Sequence, residues 1–432
     1  MNPLRVARDH RAFTHAPDAT RDIVFYAEDG ASWPHFEPIV RHLTGTMRRT
    51  ISYLTSSPDD PILHRQDPRI YAYLTDTGFA RAYLFQTMRA GVVVATVPQL
   101  GIPVLPRSRH AADLGTRYVY VFHSMASTHM IYEPDGFDHY DIVCCVGPYM
   151  AEEIRARETQ ANLPAKQLVE HGYGRLDSIL RHVATTATTT ATATPSGRLR
   201  GNPPVAIVAP SWGPTCLFET VGADVVHALL EGGFEVIARP HPMTHRRTPE
   251  VIPALVDRFG SHGRFSIDGG MAGFTTLLRS DLMVSDWSGA ALEYAFGLER
   301  PVLFIDGEPK VNNPSYTELG IEPFEVGVRR EIGRVILRGD VSSIATAAHE
   351  LLAADQDFPA RIRSVRTRSI HNVGRSGVVA AEHLAAQADT VRAGRHRGTT
   401  GSTNATSPTP TTPTTPTAPT APTTPTTENP PP

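Results

Sequence analysis

The chain has 432 residues, 41% of them hydrophobic and 20% charged, enough to bury the cores of two globular domains. A formal net charge of −3 argues against a dedicated nucleic-acid binder, which carries a basic face or tail. Three cysteines cannot build a disulfide framework, and no stretch approaches the roughly 20 apolar residues of a membrane span.

Residues 1–19 read as an N-terminal extension with charges but no apolar h-region, so no signal peptide is expected and the protein is read as cytoplasmic. From 20 to 183 come the strand-like runs DIVFYAE, ISYLT, VVVATVP, RYVYVFH and DIVCCVG, separated by segments able to form helices. The adjacent Cys144 and Cys145 fall inside the last run and read as buried core thiols of a reducing compartment. Residues 184–203 are rich in Ala and Thr, lack an apolar period, and read as a flexible linker.

A second globular segment, 204–393, carries VAIVAPS, FEVIARPHP, FSID, LMVSD and PVLFID. Apolar strands alternating with helices in both halves predict two doubly wound parallel-sheet α/β domains facing across a cleft. Residues 394–432 hold ten of the 37 prolines after Ser407 and almost no large apolar side chain, so a disordered Thr/Pro-rich tail is expected. No G-x-G-x-x-G follows the first strand of either half, which leaves an NAD-type site unsupported, and no cofactor is expected.

In an open α/β sheet, ligands bind outside the carboxyl ends of the strands, so polar residues there are the first candidates. His123 directly follows YVYVF, and an imidazole at a strand end suits general-base work. His123 and His129 are six apart with no third ligand at a standard spacing, so no metal is expected. His241 is held between Pro240 and Pro242 beside Arg239, a rigid setting for an anion contact.

The turn Ser285-Asp286-Trp287-Ser288-Gly289 stands between an apolar strand and the helix former AALEYAFG. Backbone N–H groups and hydroxyls at a helix N-terminus make an anion site, and Gly289 allows close approach of a phosphate. Ser288 can equally be an N-cap with no ligand. Glu293, on the following helix, is a candidate for a ribose diol, with a solvated helix face as the competing reading.

Five features of the sequence, in order, resemble the CDP-glycerol glycerophosphotransferases, the teichoic-acid polymerases and primases of bacterial cell walls. They are His123, the Gly172-Tyr173-Gly174-Arg175-Leu176-Asp177 turn against G-x-P-R-x-D, Ala209 to Trp212 against A-P-[ST]-[WF], the pair His241-Pro242, and Ser285 to Gly289 against S/T-D-[YW]-S-S. The resemblance covers about Tyr118 to Ala380. It departs at Phe122-His123-Ser124, where the family has W-H-G-T and a following lysine, at Gly174 in place of proline, and at Gly289 in place of serine.

The resemblance implies a GT-B fold with the nucleotide donor in the second domain. It implies transfer of glycerol phosphate, or a related polyol phosphate, from a CDP-activated donor to a hydroxyl of a cell-wall or capsular glycopolymer, with release of CMP. On this reading His123 is the base, and His241 with Arg239 stabilises the diphosphate and the departing CMP. Ser285, Asp286, Ser288 and Gly289 form the phosphate turn, Glu293 holds ribose, and Ser211 and Trp212 line the cytidine pocket. Arg175 and Asp177 are further candidates, with a structural ion pair as the competing reading.

The partners implied are the CDP-glycerol-type donor, a lipid-linked or polymeric acceptor, and the cytoplasmic face of the membrane. The arginines at 361, 363, 366, 368 and 375 are the candidate membrane contact, with a solvated basic face as the competing reading. Two alternatives stand beside the transferase: a GT-B glycosyltransferase or epimerase using a nucleotide sugar, and a catalytically silent GT-B scaffold in polymer assembly.

Overall fold

Two all-parallel sheets organise the chain. The structure is a computed structural model and describes residues 2–189, 202–269, 273–354 and 357–400. The first sheet contains β1 (Ile23–Ala27), β2 (Ile51–Thr55), β3 (Ile70–Leu74), β4 (Val92–Ala95), β5 (Arg117–Val121), β6 (Ile142–Cys145) and β7 (Gln167–Glu170), in the order β3-β2-β1-β4-β5-β6-β7. The second contains β8 (Val205–Val208), β9 (Glu235–Ala238), β10 (Phe265–Ile267), β11 (Leu282–Ser285), β12 (Val302–Asp306) and β13 (Gly333–Leu337), in the order β10-β9-β8-β11-β12-β13.

Every residue of β1, β2, β4, β6, β8 and β11 is buried, as expected where helices cover both faces of a parallel sheet. Each sheet reverses its winding direction beside its first strand, at β1/β4 and at β8/β11. Such a switch opens a crevice at the strand C-termini. The architecture is GT-B: two Rossmann-like domains, one of seven strands and one of six.

Three strands lie outside the runs read from the sequence, and all three are sheet edges: β3, β7 and β13. Edge strands expose one flank, so polar side chains break their apolar signature; β7 is Gln-Leu-Val-Glu with neither end buried.

The Pro3–His15 helix, within the segment read as an extension, packs Phe13 edge-on to Tyr73 of β3, with ring centroids 5.4 Å apart. The Gly174–Thr189 helix continues into the span read as linker. The closing helix, Ser376–Thr400, belongs by sequence to the second segment yet lies on the first sheet. Its Ala380, Ala381, Leu384, Ala385 and Ala388 share one core with Ile39, Val40 and Leu43 of the first domain. That spacing presents one small-residue stripe, which allows close approach of helix to helix. This helix also enters the span read as tail; the rest of that tail, 401–432, lies outside the described residues. Among the described residues, no helix is long and apolar enough to cross a membrane.

Candidate active site

The first-domain half of the site grows from the end of β5. Phe122 and Met125 are buried, while His123 between them is exposed. The His123 ring is reachable by solvent yet enclosed by the rings of Tyr132 at 5.7 Å and His35 at 6.3 Å, measured between centroids. These rings shield part of the imidazole from water and push its pKa below the ordinary value, partly offset by a hydrogen bond involving Thr96 and the charge of Asp29. Tyr120 Oη lies 3.4 Å from Nδ1. For His123 to act as a base at Nε2, the ring proton must sit on Nδ1, the nitrogen that faces that phenol oxygen.

Two buried carboxylates, one from each domain, grip the loop after His123. Glu325 accepts from the Ser127 backbone N–H at 2.8 Å and from its hydroxyl at 2.9 Å. Glu153 accepts from the Thr128 N–H and hydroxyl, both at 2.6 Å. His129 faces Glu153 through Nδ1 at 3.3 Å and the Ile321 carbonyl through Nε2 at 3.1 Å, so its ring serves the loop. Among the described residues, no group of three His, Cys, Asp or Glu side chains is arranged to hold a metal ion.

The second-domain half is built on the β8/β11 switch point. Asp286 accepts from the Ser211 N–H at 2.7 Å and the Leu217 N–H at 3.0 Å, stitching the turn after β11 to the loop after β8. Ser285 donates to the Ala209 carbonyl at 2.8 Å and is fully buried. Both side chains therefore brace the turn after β11 from behind, their polar atoms already engaged. Ser288 is the N-cap of the Gly289–Leu298 helix, its oxygen accepting from the Ala290 N–H at 3.3 Å.

His241 caps the next turn: its Nδ1 accepts from the Met243 N–H at 3.1 Å, which leaves Nε2–H as the free donor of the neutral ring. Burial and the neighbouring Lys310 push its pKa down to about 4, so at neutral pH it offers a hydrogen bond and no charge. Arg239 is buried; it donates to the Gly273 carbonyl at 3.1 Å and lies 3.5 Å from Asp268, which commits it to the segment after β10.

The cation beside this site is Lys310, which the motif reading passed over. Its Nζ lies 3.1 Å from Ser211 Oγ and 4.1 Å from the centre of the Trp212 ring, while Trp212 and His241 are 6.2 Å apart between centroids. A signal was present: Lys310 and Lys166 are the only two lysines in a chain with 41 Lys and Arg together.

The two halves meet. A Cβ built on Gly289 would lie 3.2 Å from the Ser124 hydroxyl, next to His123. The Tyr173 hydroxyl lies 2.8 Å from Glu293 Oε1 and 3.0 Å from the His123 carbonyl oxygen, and Arg175 Nε donates to Glu293 Oε2 at 2.7 Å. Both oxygens of Glu293 are thus engaged by the first domain, and the place read for ribose is filled by an interdomain ion pair. Asp177 accepts from the N–H groups of Gly374 and Ser376, both at 2.7 Å, and caps the closing helix. The Gly172-to-Asp177 turn is a fastener that holds the second domain and the closing helix against the His123 loop.

No protein-family model and no curated protein sequence matches the chain. Solved structures do match its fold. The wall teichoic acid polymerase TagF with CDPG is similar over 90% of this chain and 94% of its own, with a TM-score of 0.55 and 12% identity. A UDP-GlcNAc 2-epimerase from Neisseria meningitidis bound to UDP-GlcNAc is similar over 84% and 99%, with a TM-score of 0.53 and 11% identity. Anabaena Alr3699/HepE in complex with UDP and glucose gives 84% and 99%, 0.51 and 12%.

Proposed function

We propose that the chain is a CDP-glycerol glycerophosphotransferase-like enzyme. It transfers glycerol phosphate, or a related polyol phosphate, from a CDP-activated donor to a hydroxyl of a cell-wall or capsular glycopolymer and releases CMP. The observation that carries this reading is the approach of Gly289 to Ser124, which sets a helix N-terminus suited to phosphate beside a strand-end histidine suited to a proton. Similarity in fold to a teichoic acid polymerase adds support.

In this reading the acceptor O–H attacks the glycerol-bearing phosphorus as the bond from that phosphorus to the CMP oxygen breaks. The acceptor proton passes to His123 Nε2, which the lowered pKa keeps unprotonated at neutral pH. The departing CMP takes the electron pair and the charge. Lys310 supplies positive charge to that leaving group, and His241 Nε2–H supplies a neutral hydrogen bond. Phosphoryl-type transfer depends mostly on positioning and charge stabilisation, which this set provides. Trp212, with Lys310 over its face, offers a stacking surface for the base.

A nucleotide-sugar reaction is the second reading, favoured by the similarity in fold to the Neisseria UDP-GlcNAc 2-epimerase and to HepE, each over 84% of the chain. Incubation with labelled CDP-glycerol, UDP-GlcNAc and a CMP-sugar decides between them. CMP released from CDP-glycerol supports the transferase; turnover of a nucleotide sugar alone overturns it.

A further inference from the structure

The arginine-rich run from 361 to 377 takes no part in the cleft. Most of it is neutralised: Arg363 and Arg366 pair with Glu299, Arg368 pairs with Glu331, and Arg361 lies over the Phe358 ring at 4.2 Å. Arg375 is different. It is exposed, and among the described residues no carboxylate pairs with it.

The fold carries Arg375 to a cavity of about 530 Å³, where it lines the wall together with Arg41, His42 and Arg181. Arg41 and Arg181 share a single carboxylate, Glu37, at 2.9 and 3.7 Å, and Arg181 Nη1 is buried without a partner. The acid in the wall itself, Asp177, is committed to the Gly374 and Ser376 amides. Three guanidinium groups lining one concavity, against the two carboxylates of Glu37 and Asp177, leave a net positive hollow at the start of a 25-residue helix. Among the described residues, the large exposed apolar side chains, such as Leu4, Phe79 and Tyr83, lie outside the wall of this hollow. Arg181 is six residues beyond Arg175 on one helix, about 9 Å along its axis, which sets the hollow on the flank of the cleft.

We propose that this hollow is a second anion site that binds a phosphodiester group of the acceptor chain outside the cleft, holding the polymer while its end reaches His123. Ownership of the phosphate by an acceptor rests on the transferase reading; the anion site itself does not. Planar guanidinium forks match phosphate oxygens in pairs, and a concave site selects a flexible strand over a flat surface.

The test is fluorescence anisotropy with the full chain and a labelled synthetic oligo(glycerol phosphate), with CDP binding measured alongside. Arg181→Ala/Arg375→Ala is expected to weaken oligomer binding by about tenfold or more while CDP binds as before. Arg375→Ala alone, at an exposed side chain with no ion-pair partner, is expected to weaken it severalfold with unchanged melting. Equal binding by wild type and both variants overturns the site. Phosphatidylglycerol vesicles displacing the oligomer with the same arginine dependence would make the ligand a lipid headgroup and overturn the acceptor assignment. Arginine-dependent oligomer binding in a protein that releases no CMP from CDP-glycerol would keep the anion site and remove the transferase reading.

Discussion

Gly289 and Ser124 face each other across the interdomain cleft so closely that a Cβ on the glycine would lie 3.2 Å from the serine hydroxyl. The first residue of the Gly289–Leu298 helix and the neighbour of His123 thus share one contact surface. Gly289→Val is expected to hold the halves apart and lower turnover by about tenfold or more, since small misplacements of reacting groups cost that much. Gly289→Ser needs only a rotation of the Ser124 side chain and should retain most activity. Steady-state kinetics with melting curves on both variants checks this; full activity in Gly289→Val contradicts it.

The tie between Arg175 and Glu293 predicts an asymmetric effect on stability. Arg175→Ala leaves a carboxylate enclosed by Tyr173 with no cation, and breaking one side of a buried pair costs on the order of 3 kcal/mol. Arg175→Met/Glu293→Gln removes the charge as well and should recover much of that loss. Chemical denaturation of the two variants measures it, and equal destabilisation by both would show that the pair does not behave as a unit.

His171 provides a pH test of packing. It is buried with neither ring nitrogen hydrogen-bonded, and burial pushes its pKa down from 6.5 to about 4. The folded state therefore refuses a proton that the unfolded chain accepts. Its stability contribution is complete above pH 6.5 and is lost as pH falls toward 4, by on the order of 3 kcal/mol at most. His171→Leu should flatten stability across that window; an unchanged acid slope contradicts the assignment.

Lys310 is expected to act on the departing phosphate. Lys310→Met should lower kcat/KM for the donor by about a hundredfold, the range seen when one transition-state donor is removed, and Lys310→Arg should restore part of it. A loss confined to acceptor KM would place this lysine elsewhere in the reaction. Lys310→Met should also raise the His241 pKa, because the cation is one of the two causes that lower it. NMR titration of His241 reads that shift independently of turnover.

Fold class was legible because buried parallel strands read as unbroken apolar runs, as β1, β4, β6 and β8 do. The edge strands β7 and β13 were not legible, because one flank stays in water and polar side chains mix into them, while the edge strand β3 was missed despite its apolar Ile-Tyr-Ala-Tyr-Leu. At the site, strand ends marked His123, His241 and the Ser285-to-Gly289 turn. Partners distant in sequence stayed hidden: Glu293 meets Arg175 from 118 positions away, and Lys310 meets Ser211 from 99. Ser285, Asp286 and Arg239 carried the right chemistry for an anion, but residue type alone does not show that their polar atoms are spent inside the fold.

The central claim is that a proton acceptor on the first domain and a phosphate-binding turn on the second act together on a CDP-activated donor. The direct measurement is CMP release from labelled CDP-glycerol in the presence of a polyol-phosphate acceptor, followed against pH for wild type and His123→Ala. The account predicts CMP release that needs the acceptor and falls at least a hundredfold in the variant. It also predicts a wild-type acid limb below pH 6.5, because the His123 pKa is lowered, with a plateau through neutral pH. CMP release that is indifferent to His123→Ala, or turnover of UDP-GlcNAc in its place, would contradict it.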